Sequence, residues 1–110
     1  MEIDYIDDIL TIKINCNLIA PNIKVLVEET KRIIEQTKED LQLIQMDLSE
    51  SKGIDSMGIT FLVGTFKTLS RQNKKMRLIG VSNAMLKLFK TMKLDTVFEI
   101  ENTVGGRGSI

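Results

Sequence analysis

The chain of 110 residues has no histidine and no tryptophan, and only one cysteine, one proline and one tyrosine. Each shortage closes a class of function. Without histidine there is no Ser-His or Cys-His nucleophile pair, no general base with an ordinary pKa near neutrality, and not the commonest zinc ligand. A lone Cys16 cannot form an internal disulfide, and no basic N-terminal start leads into a continuous apolar run, so a reduced, cytoplasmic setting is expected. Apolar runs last only a few residues, far short of the ~20 that cross a bilayer, so no membrane insertion is expected. Aromatic residues make up 5% of the chain and form no platform on which bases could stack, which argues against nucleic acid as a direct partner.

Charge is plentiful and unevenly placed. Residues 1–50 hold 11 acids and 5 bases, and residues 51–110 hold 4 acids and 10 bases, so a chain of zero net charge is −6 in its first half and +6 in its second. The length fits one domain, large enough to bury a core without disulfides or metal.

The hydrophobic pattern alternates between two periods. Around residues 2–6 and in "ILTIKI" (9–14) the period is two, with Leu10, Ile12 and Ile14 on one face, which predicts two strands joined across Asp7-Asp8 as a hairpin. After Pro21-Asn22, residues Ile23, Leu26, Val27, Thr30, Ile34 and Thr37 recur at helical spacing, predicting a helix over 22–38. A strand follows at 41–48, a helix at 56–72 with Ile59, Leu62, Val63, Phe66 and Leu69 on one face, and a strand at 76–81. Ser82 is placed to cap a third helix in which Met85, Leu88, Phe89 and Met92 share a face, and "TVFEI" at 96–100 is a fifth strand. The order ββαβαβαβ implies an α/β fold: one mixed, mostly parallel sheet with helices packed on it, spanning 1–101, and a flexible tail over 102–110.

The densest chemistry lies in "KGIDSMGIT" (52–60), where a strand hands over to a helix. Gly53 and Gly58 have the spacing of a phosphate-cradling loop, but Ile59-Thr60 stands where Lys-Ser/Thr is required. Ser56 lacks the preceding glycine of a nucleophile elbow and any histidine base. A pair of carboxylates, Asp47 and Asp55, has no supporting motif, and such strand-end acids more often cap helices or face water. No enzymatic activity, cofactor or metal site is therefore expected. The physical minimum is that Asp55 or Ser56 accepts a hydrogen bond from a free N–H of the next helix's first turn. The lysines 87, 90 and 93 are expected on a solvated helix face, Cys16 as a packed thiol, and Met46, Met85 and Met92 in the core.

"GIDSMGITFLVGTFKTL" resembles the Asp-Ser-(Ser/Ala)-Gly-(Leu/Ile) signature of the STAS family, the anti-sigma-factor antagonists, on Asp55, Ser56, Gly58 and Ile59. "MRLIGVSNAMLKLFKTMKLDTVFEI" is similar to the same family's later segments, and the resemblance covers roughly residues 8–101. It implies a protein that catalyses nothing. Unphosphorylated, it binds an anti-sigma factor that is a serine kinase, and so frees a sigma factor. The kinase reverses this by phosphorylating Ser56, and a serine phosphatase restores it. On this resemblance Asp55, Ser56, Met57 and Gly58 form the partner-binding surface, with Gly58 allowing another chain to come close. Three features depart from the family: Ile19 stands where an acid is common, Met57 where a small residue is common, and "GGRGSI" where a further helix often follows. A constitutive STAS scaffold, such as a subunit of a lipid-transport complex in which Ser56 only caps a helix, is the other role open to the sequence.

Overall fold

The computed structural model describes residues 1–37 and 40–101. Strands β1 (Glu2–Ile6) and β2 (Ile9–Lys13) form the expected antiparallel hairpin, turned at Asp7 in the left-handed region (φ 57°), which Asp tolerates better than most residues. From there the chain alternates: α1 (Ala20–Glu35), β3 (Leu43–Asp47), α2 (Ser56–Arg71), β4 (Lys75–Ile79), α3 (Asn83–Thr91), a 3-10 turn (Leu94–Thr96) and β5 (Glu99–Glu101). The five strands lie side by side in chain order, β1-β2-β3-β4-β5, with β2 to β5 parallel. Each crossover steps to the next strand in the same direction. Since such connections are right-handed, all three helices fall on one face of the sheet.

The buried face follows from the period-two pattern. Leu10, Ile12, Ile44, Met46, Met76 and Leu78 point toward the helices and are almost fully buried, joined by Ile23, Leu26 and Ile34 of α1 and Phe61, Leu62 and Leu69 of α2. Phe98 closes the far end, with its ring edge-on to Phe89 at 5.8 Å and to Phe66 at 6.1 Å. The helix-free face is polar and satisfies itself across four strands. Gln45 donates to the Thr11 hydroxyl (3.0 Å), and Arg77 donates to Gln45 (3.1 Å) and pairs with Glu99 (2.7 Å) and Glu101 (3.3 Å).

Several boundaries differ from the sequence expectation. Helix α1 starts at Ala20 instead of residue 22, with Pro21 in its first turn, where a missing N–H costs nothing. It ends at Glu35, with Gln36 as its cap, short of the expected residue 38, while the expected tail over 102–110 lies outside the described residues. Strand β4 stops at Ile79 because Gly80 turns the chain with φ +67°. The segment expected as strand 96–100 begins as a 3-10 turn, and only 99–101 pair with β4. Ser82 caps α3 as expected, accepting from the Met85 N–H at 3.1 Å. Met46 and Met85 are buried, but Met92 is 47% exposed, because it is the capping residue after the last turn of α3 and leaves the core-facing stripe. The buried side of α2 is shifted from the expected face: Phe61, Leu62, Thr65 and Leu69 are buried, whereas Ile59, Val63 and Phe66 are only half-buried. That helix touches both the sheet and α1.

Two glycines of α2 should respond oppositely to substitution. A Cβ at Gly58 would collide with the Leu18 carbonyl oxygen and lie 2.8 Å from Leu18 Cβ and Ile54 Cγ1, whereas at Gly64 it would meet nothing. We expect Gly58→Ala to destabilise by about 1–3 kcal/mol through overpacking against backbone. Gly64→Ala should stabilise by about 0.5–1 kcal/mol through helix propensity. Urea denaturation of the two variants checks both.

Candidate functional site

The site is the junction between β3 and α2, and a second stretch of chain pins it. Beyond the end of β2, Leu18 donates to the Gly53 carbonyl (2.9 Å) and its own carbonyl accepts from the Asp55 N–H (3.1 Å), a single parallel bridge past the last regular strand pair. Asn17 Oδ1 accepts from the N–H groups of Lys52 (2.8 Å) and Gly53 (3.1 Å), while Asn22 donates to the Asn17 carbonyl (2.9 Å). The buried Ser51 hydroxyl donates to the Cys16 carbonyl at 2.8 Å. Residues 51–55 are therefore held by residues 16–18 and have little freedom left.

Asp55 is the cap of α2, which settles the choice left open between it and Ser56. Its Oδ1 accepts from the N–H groups of Met57 (2.9 Å) and Gly58 (3.1 Å). Its Oδ2 accepts from the N–H of Ala20 (2.9 Å), the first residue of α1. One carboxylate thus serves the starts of two helices. Ile19, the residue before α1, supplies no side-chain cap, so the donor of Ala20 depends on this distant acid. The Ala20 N–H above all, then that of Gly58, hold the Asp55 carboxyl below its usual range against a lesser opposing effect of burial, with a smaller lowering contribution from the Met57 N–H.

With the capping done by Asp55, Ser56 is the first residue of α2 and is exposed. Met57 beside it is 46% exposed, as its position off the core-facing stripe predicts. It stands at one end of an open, mostly apolar groove of about 480 Å³ between α1 and α2, walled by Ile23, Val27 and Ile34 on one side and Phe61 and Gly64 on the other. Asp55, Ser56 and Met57 thus share one surface. Gly58 does not: it is buried, and the chain that approaches it closely is its own, at Leu18. Asp47 takes no part, its Oδ1 being engaged by the Ser49 N–H at 2.9 Å. No group of three or more His, Cys, Asp or Glu among the described residues is arranged to hold a metal ion, and none of their helices is long and apolar enough to cross a membrane. Sequence reasoning missed the supporting set of Asn17, Leu18 and Ala20. One clue was available, since a helix opening Ile19-Ala20-Pro21 has no Ser, Thr, Asp or Asn to cap it and must borrow an acceptor.

The depressed carboxyl of Asp55 sets a pH dependence. A carboxylate with a folded-state pKa below its unfolded value stabilises fully above the unfolded pKa, about 4, and ceases to do so as pH falls through the folded value. Asp55→Asn keeps one acceptor oxygen but turns an amide N–H₂ toward one of the two helix ends. We expect it to melt well below the parent at pH 7, with the gap narrowing steadily below about pH 4 as Asp55 itself becomes protonated. Melting curves from pH 2 to 7 for both proteins check this.

Anti-sigma-B factor antagonists from Listeria monocytogenes and Listeria innocua are each 33% identical to this chain over 63 residues, 57% of this chain and 55% of theirs, so the match spans little more than half the length of those relatives. The fold is similar to that of a proposed anti-sigma factor antagonist from Thermotoga maritima (TM-score 0.83, 17% identity, covering 98% of this chain and 91% of that one). It is also similar to the anti-sigma factor antagonist SpoIIAA in its unphosphorylated form (TM-score 0.67, 15% identity, 92% and 86%). The mouse anion transporter Slc26a9 contains the same fold in 14% of its chain (TM-score 0.72, 14% identity, 80% of this chain). At these identities the structural likeness is one of fold. The STAS domain pattern matches residues 1–106, and the chain belongs to the STAS domain family.

Proposed function

We propose that this protein is an anti-sigma factor antagonist controlled by phosphorylation of Ser56. Unphosphorylated, it binds an anti-sigma factor with serine-kinase activity, which releases a sigma factor. The kinase ends this by phosphorylating Ser56, and a serine phosphatase restores the binding form. The observation that carries the reading is the position of Ser56: exposed, first in α2, and relieved of capping by the residue before it. The names of the Listeria relatives point the same way.

The geometry gives the switch a simple physical form. A phosphoryl group adds about −1.5 to −2 charges at pH 7, and here it would stand next to a carboxylate that is already ionised. A partner surface shaped for a neutral hydroxyl and for the apolar Met57 would meet bulk and concentrated negative charge. The caps made by Asp55 bond backbone N–H groups and do not use the Ser56 hydroxyl, so the fold is expected to survive the modification.

A constitutive scaffold remains a second reading, favoured by Ile19 in the place of the family's acid. Its account of Ser56 as a helix cap is weakened, because Asp55 performs that task. Incubation with a cognate kinase and ATP, followed by mass-spectrometric mapping, separates the two. We expect one phosphate, on Ser56. A phosphate confined to Thr60 or Ser82 removes the switch, and Ser51 is too buried to compete. Ser56→Asp should weaken partner binding and Ser56→Ala preserve it, and equal affinities would leave the scaffold.

Met57 gives a further expectation. Its thioether is about half exposed and lines the groove, so folding gains little from it. Met57→Ser should leave the melting temperature of the free protein unchanged but weaken partner binding about tenfold or more, since an apolar side chain buried in an interface contributes about 1.5–3 kcal/mol and ~1.4 kcal/mol is a factor of ten. Calorimetry on the pair, with a melting curve of the variant, is the test.

A further inference from the structure

Strand β1 differs from every other strand in the sheet. All five of its residues are exposed, while β2, β3 and β4 each keep two residues buried. It forms one edge of the sheet, with no strand on its outer side among the described residues. Ile3 (49%), Tyr5 (48%) and Ile6 (62%) place three large apolar side chains in the open within four residues. The register shows why. Ile3 and Tyr5 lie beside Ile12 and Leu10 on the helix-covered face, so they continue the core surface past the point where the helices cover it. Glu2 and Asp4 lie beside Lys13 and Thr11 on the other face. With Asp7 and Asp8 in the turn, the edge carries four acids and no Lys or Arg before Lys13.

An exposed strand edge is a template for pairing, and charge decides with what. Like charges opposite each other destabilise a ladder. Two copies paired antiparallel along the whole of β1 set Asp4 against Asp4. Sliding them two residues one way sets Glu2 against Asp4. Sliding the other way leaves only residues 4–6 overlapping and brings Glu2 alongside Asp8. Parallel pairing in register sets Glu2 on Glu2 and Asp4 on Asp4. The acids therefore reject a second copy, yet they complement a strand of opposite charge, and the apolar side of the edge is still uncovered.

We propose that the outer edge of β1 docks an extended segment of another protein as a sixth strand. The segment places apolar residues against Ile3 and Tyr5, alternating with Lys or Arg against Glu2 and Asp4. Main-chain hydrogen bonds along the edge supply part of the affinity, and the alternation supplies specificity. This surface includes no part of the Ser56 junction, so it stands whether or not Ser56 is a switch.

The probe is a dye-labelled, end-capped peptide of about ten residues alternating Lys or Arg with Val or Ile, titrated into the full chain by fluorescence anisotropy. Backbone amide NMR locates the site. Expected are saturable binding, shift changes centred on residues 2–6, and at least tenfold weaker binding to the Glu2→Lys, Asp4→Lys double variant. A peptide of the same composition with its basic and apolar residues in separate blocks should also bind at least tenfold more weakly. If the double variant does not fold, Ile3→Ser with Tyr5→Ser tests the apolar half of the pattern and should weaken binding at least fivefold. Equal binding of the block peptide, unchanged binding by the folded variants, shift changes centred elsewhere, or no binding at millimolar peptide would each overturn the proposal. So would a dimer of the parent protein in sedimentation that the charge reversal abolishes, since the edge would then serve a second copy.

Discussion

A helix leaves its first N–H groups without partners, and an α/β layer that begins two helices at the same end of its sheet must satisfy two such sets close together. Here one carboxylate meets both needs, with Ala20 donating to one oxygen of Asp55 and Met57 and Gly58 donating to the other. The starts of α1 and α2 are thereby fixed relative to each other. Much else follows from that constraint. Gly58 must lack a side chain because the turn it begins is drawn against Leu18. The groove between the two helices has a defined mouth at Met57. Ser56, next to the acid that does the capping, is left to face solvent. The exposed Ser56 is thus held in place by its neighbours.

Element type was legible in the sequence wherever the structure obeys a local period. The alternation of Leu10, Ile12 and Ile14, and the spacing of Ile23, Leu26, Thr30 and Ile34, mark the same buried faces in the structure as in the pattern, whereas Val27, expected on the same face of α1, is 45% exposed. What local pattern could not carry was contact between distant segments. The start of α1 was placed two residues late because its cap lies 35 residues away, at Asp55. Gly58 was read as an approach for a partner because nothing near it in sequence announces Leu18. Met92 fitted the helical stripe of α3 and failed only because the helix ends one residue before it. At the candidate site the motif drew attention to Asp55 and Ser56, but a choice between two adjacent capping residues depends on backbone dihedrals that the sequence does not print.

The sheet leaves few surfaces free for recognition. One face is filled by helices, and the other is closed chemically by the chain of contacts from Thr11 through Gln45 and Arg77 to Glu99 and Glu101. Among the described residues, the surfaces left include the end of the sheet where α1 and α2 begin, the edge at β1, and the short opposite edge at β5. Because the strands lie in chain order, the charge asymmetry between the two halves of the sequence becomes an asymmetry across the molecule. Acids gather at the β1 edge, and Lys87, Lys90 and Lys93 face solvent from α3 and its C-terminal turn on the far side.

That same ordering has a kinetic consequence. Each strand from β2 onward docks beside the one made just before it, so no part of the sheet waits for a segment synthesised much later. Contacts of short sequence separation close quickly and at low entropic cost. The hairpin and α1 can begin to bury apolar surface while the rest is still in the ribosome, and each later βα unit adds to a growing template. The Asp55 bridge back to Ala20, together with the contacts of residues 51–55 to residues 16–18, reaches across a whole βα unit, so completing α2's first turn ties the start of α1 to the later half of the sheet.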